Sequence, residues 1–282
     1  MVLRKKAFKW HRWLSAIATV PLMMWAASAV LHQANAWFRP EFRKAAYEIA
    51  PNISETQHAV ALVKYLYQQN SIVQSIKKIE SFSHHYSEKN KVLPVFEVSM
   101  KSPDNTILYV DLSRGRIVTG SNEISRSIHK WFGHLHKWDF LESWPTSRVA
   151  LIILFSLITL IAGCLGLYLY FLLPWLSRRT HLTIAQKEKL WHRRIGVAVS
   201  LFMILFALTG LMHAVSDLYP AFGQSEKPFF DQLHMYRFTD GLGKQFRFWW
   251  LLVLASSFVL LIFSGLILLF RLMIKRLYCY HR

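Results

Sequence analysis

Histidines recur at matching positions in two copies of one short sequence pattern. A Trp-His-Arg triplet containing His11 opens a long uncharged segment that carries His32, and a second triplet containing His192 opens another that carries His213. In both copies the two histidines are 21 positions apart. In a helix this separation is about 31 Å, at roughly 1.5 Å per residue, which is about the thickness of bilayer hydrocarbon. Each segment is therefore expected to place one imidazole at each face of a membrane.

Two further histidines fit the repeat less closely. A Leu-His pair at His136 precedes another uncharged segment, and a Leu-His pair at His234 precedes the last one. Late in these two segments lie Gly166 and Gly265, each followed by leucine, although the alignment needs a gap of one residue. Two related hairpins in parallel orientation predict a pseudo-twofold axis along the membrane normal.

Imidazole is a nitrogen ligand that suits an axial position of haem iron. Two imidazoles on facing helices, with small residues between them, can clamp a planar macrocycle in a bundle core. Two haems need four ligands, and six candidates lie near the expected membrane faces: His11, His32, His136, His192, His213 and His234. The sequence favours His11 with His192 for one haem and leaves open which two of the other four hold the second.

Other histidines have weaker claims. His129 and His134 compete with His136, since positions 129 and 136 are seven apart and share a helical face. Four more histidines are interpreted as surface residues: His58, His84, His85 and His181.

Membrane histidines have two other common roles. A histidine at a helix end ordinarily sits at the interface, hydrogen bonded to water or headgroups. A proton pathway normally uses carboxylates at mid-depth, and the four uncharged segments contain none. The sequence has no dinucleotide fingerprint, phosphate loop or H-E-x-x-H motif, so any electrons are expected to come from a membrane quinol or a separate protein. The two cysteines, Cys164 and Cys279, supply no iron–sulfur or zinc site.

Four uncharged segments predict four membrane-spanning helices. They are residues 13–38, 149–177, 195–216 and 248–270, and each exceeds the roughly 18 residues that indicate a spanning helix. The first is too long for the apolar core of a cleaved signal peptide. The expected fold is a mainly α four-helix bundle made of two hairpins, and association into a homodimer is compatible with its small residues. The predicted divisions are 1–38, 39–128, 129–177, 178–216 and 217–282.

The net charge of +18 is concentrated on one side of this topology. Residues 1–12, 178–194 and 271–282 hold 15 Lys and Arg against one acid, Glu188. This positive-inside pattern predicts a membrane protein with both termini in the cytoplasm and the other two loops outside. Anionic lipid explains these basic ends better than nucleic acid does.

Residues 39–128 predict a small α+β domain outside the membrane. Ser54 followed by Gln57 forms a capping box, which predicts a helix to about Gln69. Residues 76–82, 95–100 and 106–111 are alternating or β-branched and predict strands. Tight turns are predicted at 102–105 and 113–116.

These features resemble the PepSY-associated transmembrane helix family of bacterial inner membranes. His-Arg-Trp at 11–13 and Trp-His-Arg-Arg at 191–194 open two spans, and Leu-Thr-Gly-Leu at 208–211 lies late in the third. Leu-Tyr-Val-Asp at 108–111 with Arg-Gly-Arg-Ile at 114–117 resembles the closing hairpin of a PepSY domain. The first span has Ala-Ser-Ala-Val where the family has Thr-Gly, which replaces small residues by small ones.

Some members of that family are haem-b reductases that reduce ferric iron or ferric siderophores in the periplasm. The resemblance implies that activity here, in support of iron uptake, with two b-type haems and the same six histidines as candidate ligands. It also implies a bacterial inner-membrane location, with the α+β domain as a PepSY-like domain in the periplasm. One alternative is a haem-free membrane anchor whose PepSY module binds or regulates a periplasmic partner. Another is a quinol-linked oxidoreductase with an organic or protein acceptor.

Overall fold

A computed structural model describes residues 2–47, 53–67, 72–83, 86, 90, 92–172, 183–219, 233–234 and 243–280. In chain order its elements are α1 (Val2–Phe38), α2 (Glu55–Leu66), β1 (Val73–Ile79), β2 (Val95–Met100), β3 (Ile107–Asp111), β4 (Arg116–Ser121), α3 (Glu123–Phe132), a π-helical turn (Gly133–Lys137), a 3-10 turn (Asp139–Leu141), α4 (Pro145–Leu172), α5 (Ile184–Leu218) and α6 (Gly243–Tyr280). The chain divides into two compact units, Met1–Gln33 with Phe132–Arg282, and Ala34–Trp131.

Helices α1, α4, α5 and α6 are long and apolar enough to cross a membrane, which confirms the prediction of four spans. Helix α1 begins at Val2 rather than near residue 12. The basic residues before the apolar segment therefore continue the helix, because Lys and Arg are good helix formers. Helix α4 likewise begins at Pro145, a favoured first position since proline has no amide hydrogen to leave unpaired.

The first unit packs its helices through a buried apolar core. Helix α4 packs along α5, and α5 packs along α6. Val199 and Met203 of α5 are buried against three residues of α6: Leu251, Leu254 and Phe258. Leucines and aromatic residues on the opposite faces are exposed, as expected of side chains that contact lipid.

The second unit is a four-stranded antiparallel sheet of order β1-β2-β3-β4 covered by α2. The apolar face of α2 contributes Leu62, Val63 and Leu66, which are fully buried against Val98 and Leu108 of the sheet. Helix α2 opens with the predicted capping box, in which the Ser54 hydroxyl and the Gln57 side chain each accept a backbone hydrogen bond from the other residue. This unit has a complete hydrophobic core of its own.

Some boundaries in this unit differ from the sequence prediction. Strand β2 is as predicted, and β3 begins one residue later than expected. Strand β1 covers Val73–Ile79 rather than 76–82, because its pairing with β2 places a register shift between Val73 and Ser75. Helix α2 ends at Leu66 instead of near residue 69.

The surface interpretation of His58 is wrong. Its side chain is 5% exposed, and its ring lies 6.3 Å from the Tyr47 ring. The residue falls on the apolar stripe of α2, next to Ala59 and one turn before Leu62. The periodicity of α2 therefore overrides the polarity of a single residue. His84, His85 and His181 lie outside the described residues.

Candidate functional site

The side chain of His11 projects from α1 onto α4. Its Nδ1 lies 3.1 Å from the carbonyl oxygen of Ala162. A carbonyl can only accept a hydrogen bond, so Nδ1 carries the hydrogen and donates it. The ring lies against Gly166, where an added Cβ would be 3.2 Å from His11 Cε1. The hydrogen bond leaves Nε2 as the nitrogen with a free lone pair.

His192 makes the corresponding contact between α5 and α6. Its Nδ1 lies 2.8 Å from the Ser264 hydroxyl, and that hydroxyl donates its own hydrogen to the Leu261 carbonyl at 2.8 Å. Ser264 therefore accepts from His192 Nδ1–H. The ring lies against Gly265, where an added Cβ would be 3.4 Å from Cε1.

The surroundings of His11 and His192 match as the repeat predicts. Ala162 lies four residues before Gly166, and Leu261 lies four residues before Gly265. His11 is also close enough to His192 for a charge on one ring to affect the other. The structure thus brings them together at one end of the bundle, here called the His11 end.

His136 lies in the π-helical turn before α4. Its Nδ1 is 3.0 Å from the Ser28 hydroxyl of α1. Ser28 is fully buried and donates its hydrogen to the Trp25 carbonyl at 2.7 Å. The hydroxyl therefore accepts from His136 Nδ1–H, and Nε2 is again the lone-pair nitrogen.

His234 makes the corresponding contact with a hydroxyl group of α5. Its Nδ1 lies 2.9 Å from the Thr209 hydroxyl, which donates to the Leu205 carbonyl at 2.9 Å. Thr209 is 1% exposed. An added Cβ at the neighbouring Gly210 would be 3.6 Å from His234 Cε1.

The histidines at this second end, the His136 end, form one cluster of rings. The ring centroids of His136 and His234 are 5.7 Å apart, and those of His213 and His234 are 5.4 Å apart. Phe132 connects His32 to this cluster: its ring centroid lies 5.0 Å from that of His32, and it stacks on His136 at 4.8 Å. The structure therefore gathers all four candidates that the sequence left open.

Burial lowers the pKa of His136, which lies outside the spanning segments. Removal from water, followed by the nearby positive charges of His234 and His32, lowers the pKa of His136 to about 3. The ring is therefore neutral at pH 7, which is the form that binds a metal ion.

His129 and His134 occupy different positions from His136. His129 is exposed near the end of α3, and His134 is half-buried in the π-helical turn. The change from α to π geometry after Phe132 ends the shared helical face on which the sequence interpretation placed positions 129 and 136.

Sequence reasoning missed the hydroxyl groups that hold the rings. Ser28 and Thr209 are 181 positions apart, which is also the separation of His11 and His192. That equality is a signal that the repeat alignment already contained. Reasoning also missed Trp138, which is buried and stacked on Trp25 with centroids 6.0 Å apart.

The chemistry of these four histidines would suit the ligation of haem iron. In each of His11, His192, His136 and His234, Nδ1 donates to a protein oxygen, and metal-binding histidines characteristically use one ring nitrogen in this way. Within the described residues, no group of three or more His, Cys, Asp or Glu side chains is placed to hold a bare metal ion. Paired imidazoles without carboxylates suit an iron porphyrin, which needs only two axial ligands from the protein.

Comparison with known proteins supports the family suggested by the sequence. The family model described as the PepSY-associated TM region matches residues 8–228, which is well over half of the chain. Comparison with curated proteins gives no significant match. The match includes both Trp-His-Arg triplets and the sheet between α1 and α4, and the resemblance drawn from those features is confirmed.

Proposed function

Because the chain belongs to the PepSY-associated TM region family, we propose that it is a haem-b reductase that passes electrons across the membrane to ferric iron or a ferric siderophore. One observation carries the proposal. Four histidines, two at each end of a four-helix bundle, donate Nδ1–H to protein oxygens and so present a basic Nε2. Such a set has no purpose in a simple membrane anchor.

The proposed ligands of one haem are His11 and His192. Those of the second are His136 and His234, because these two members of the cluster are held through Nδ1 by buried hydroxyls. His213 contacts the ring of His234, and His32 contacts Phe132, which stacks on His136, so both form part of the wall of that site. When bound, haem supplies reversible one-electron chemistry at its iron.

The chain's own part is to bind, orient and insulate. Helices α1 and α5 carry one ligand each at the His11 end, and their hydrogen-bond partners lie on α4 and α6. The apolar core around Met203 and Phe258 keeps water from the space between the two ends. Burial of this kind raises the stability of the less charged, ferrous form and thereby tunes the reduction potential.

The direction proposed for electron flow rests on charge. The segments beside the His11 end are rich in Lys and Arg, so that end is assigned to the cytoplasm and the sheet-containing unit to the periplasm of a bacterial inner membrane. The electron donor is then a membrane quinol or a separate cytoplasmic protein. The acceptor is ferric iron in a chelate, since the sheet-containing unit faces the compartment from which iron is taken up.

A second candidate function is a haem-free anchor whose outer unit binds a periplasmic partner. It is favoured by one observation, the complete hydrophobic core of residues 34–131. A unit with such a core could act without the histidines of the bundle.

A stopped-flow experiment tests the reductase. The dithionite-reduced protein is mixed with ferric citrate and with a ferric siderophore, and the haem α-band is followed. Oxidation whose rate rises with chelate concentration is expected. It should be lost in His136→Ala, which removes a ligand of the haem proposed to face the acceptor, but kept in His129→Ala, a matched change at an exposed histidine. A reduced α-band that persists with every ferric chelate but decays with an organic acceptor would contradict the proposal.

A further inference from the structure

We propose that Ser28 and Thr209 are positioning residues for the cofactor at the His136 end: each hydroxyl fixes the tautomer and the orientation of one axial histidine. This inference rests on the proposed function, since it assigns a role toward the haem held by His136 and His234. It concerns two side chains that lie on different helices from the histidines they hold.

Only one arrangement makes both contacts of the Ser28 hydroxyl hydrogen bonds. A serine hydroxyl has one hydrogen and two lone pairs. Its hydrogen is donated to the Trp25 carbonyl, at 2.7 Å. The contact of 3.0 Å with His136 Nδ1 is therefore a bond that Ser28 accepts, and His136 is the Nδ1–H tautomer.

Thr209 reaches the same result independently. Its hydroxyl donates within α5, to the Leu205 carbonyl at 2.9 Å with the Phe206 carbonyl at 3.2 Å. The remaining contact, 2.9 Å to His234 Nδ1, is accepted by the hydroxyl. Both rings are thus fixed with Nε2 free of hydrogen, as an iron ligand requires.

Burial makes these hydroxyls hard to replace. Ser28 is 0% exposed and Thr209 is 1% exposed. Water from the bulk has no ready access to either position, so a histidine that lost its hydroxyl partner would keep a buried, unpaired N–H group. Such a group is destabilising, and the ring would turn to relieve it.

The repeat argues that this arrangement has a function. Ser28 and Thr209 occupy equivalent positions in the repeat, 181 residues apart. The histidines that they hold belong to the two equivalent Leu-His pairs. In each hairpin the contact joins one helix to the segment that precedes the other: His136, which precedes α4, is held by α1, and His234, which precedes α6, is held by α5. Incidental helix-end histidines would have no reason to match in tautomer, partner and register.

The hydroxyls also act on the reactivity of the iron ligand. Donation from Nδ1–H to an acceptor increases the basicity of Nε2 and so favours ferric iron. Removal of the acceptor is therefore expected to raise the reduction potential of that haem. Loss of such a partner typically changes metal affinity or activity 10- to 100-fold, and a tenfold change in a one-electron equilibrium is about 59 mV.

The test uses the full-length protein in detergent or nanodiscs. Ser28→Ala and Thr209→Ala remove the acceptors, whereas Ser28→Thr and Thr209→Ser keep a hydroxyl. Thr19→Ala is the matched control, because Thr19 also lies on α1 and donates to the carbonyl four residues before it, that of Ser15 at 2.9 Å. Potentiometric titration followed optically, with haem quantified per chain, gives the readout.

The wild type should show two redox transitions. In the alanine variants we expect the reduction potential of one of them to rise by about 59 mV, which corresponds to a tenfold change in its equilibrium constant, while the potential of the other is unchanged. The hydroxyl-keeping variants and Thr19→Ala should retain the wild-type potentials. If both transitions in Ser28→Ala and Thr209→Ala match those of Thr19→Ala, the positioning role is overturned although the reductase proposal stands. A wild-type protein without haem overturns the proposed function itself.

Discussion

His11 Cε1 lies 3.2 Å from the position that a Cβ would take at Gly166. This contact is closer than most real Cβ contacts, so a methyl group at position 166 must displace the ring by a few tenths of an ångström. The helix backbone offers little compensation, since the Ala162 carbonyl that holds His11 Nδ1 lies one turn away on α4. The glycine is therefore a steric requirement of the histidine.

Gly166→Ala is expected to lower haem content at the His11 end. Gly265→Ala should have a smaller effect, because its Cβ would meet His192 Cε1 at 3.4 Å, an ordinary contact. Gly196→Ala is the control, since its Cβ would meet only Leu261, at 3.5 Å. Haem per chain, measured as the pyridine haemochrome, checks this order; an effect of Gly196→Ala as large as that of Gly166→Ala would contradict the steric argument.

Alanine replacements should separate ligands from neighbours at the His136 end. His136→Ala and His234→Ala are expected to remove one haem per chain, because each deletes a ring whose Nδ1 is held by a buried hydroxyl. His32→Ala and His213→Ala should retain both haems with altered spectra, since His213 contacts the His234 ring and His32 contacts the Phe132 ring that stacks on His136. Electron paramagnetic resonance of the ferric protein measures the number of bis-histidine centres. A centre lost in His32→Ala and His213→Ala but kept in the other pair would reverse the assignment.

Gly115→Ala should destabilise the sheet-containing unit. Gly115 has φ +55°, in the left-handed region, and an added Cβ would overlap the backbone of Tyr47. The left-handed conformation alone costs a non-glycine residue about 1–2 kcal/mol. Hydrogen–deuterium exchange of the peptides that cover β3 and β4 should show faster opening than in wild type, whereas Gly196→Ala should leave these peptides unchanged.

Asp104 should make the sheet-containing unit less stable in acid. A hydrogen bond from Ser102 is the largest cause that holds the pKa of Asp104 below its ordinary value of 3.8; burial opposes it, and hydrogen bonds from Thr106 and Asn122 add to it. Because the folded state lowers this pKa, the stabilisation is complete above the ordinary value and is lost as the pH falls through the folded value. Below pH 3.8 the protein should therefore lose stability faster than the Asp104→Asn variant.

Exchange of β2 and β3 peptides, compared between wild type and Asp104→Asn at each pH, measures this difference. At pH 7 the wild type should exchange more slowly than Asp104→Asn, and this difference in exchange rate should become smaller as the pH falls. A gap that stays constant from pH 7 to pH 2 would show that the charge of Asp104 does not stabilise the fold.

Sequence reasoning predicted the spans well because exclusion of charge from hydrocarbon is a strong and local signal. Strand β2 was predicted for a similar reason, as alternation in residues 95–100 is unbroken. The start of β1 was not, because a register shift near Val73 depends on the partner strand. His58 shows the same limit, since its burial is decided by the stripe on α2 and not by its own polarity.

The candidate site was predicted in part. The repeat identified six histidines but could not rank those at the His136 end, because ranking depends on which ring nitrogen meets a partner from another helix. The structure supplies that partner for His136 in Ser28 and for His234 in Thr209. Thr209 lies in the Leu-Thr-Gly-Leu motif and Ser28 in the corresponding Ala-Ser-Ala-Val, but sequence reasoning assigned neither hydroxyl a role, because the histidine that each contacts is remote in the chain.

Haem stoichiometry of the purified protein tests the central claim most directly. The protein is expressed with haem supplied, and haem b is quantified against chain concentration by the pyridine haemochrome. Two haems per chain are expected, reduced to one in His192→Ala. A colourless wild-type protein that is folded by circular dichroism, with no haem per chain, would contradict the account.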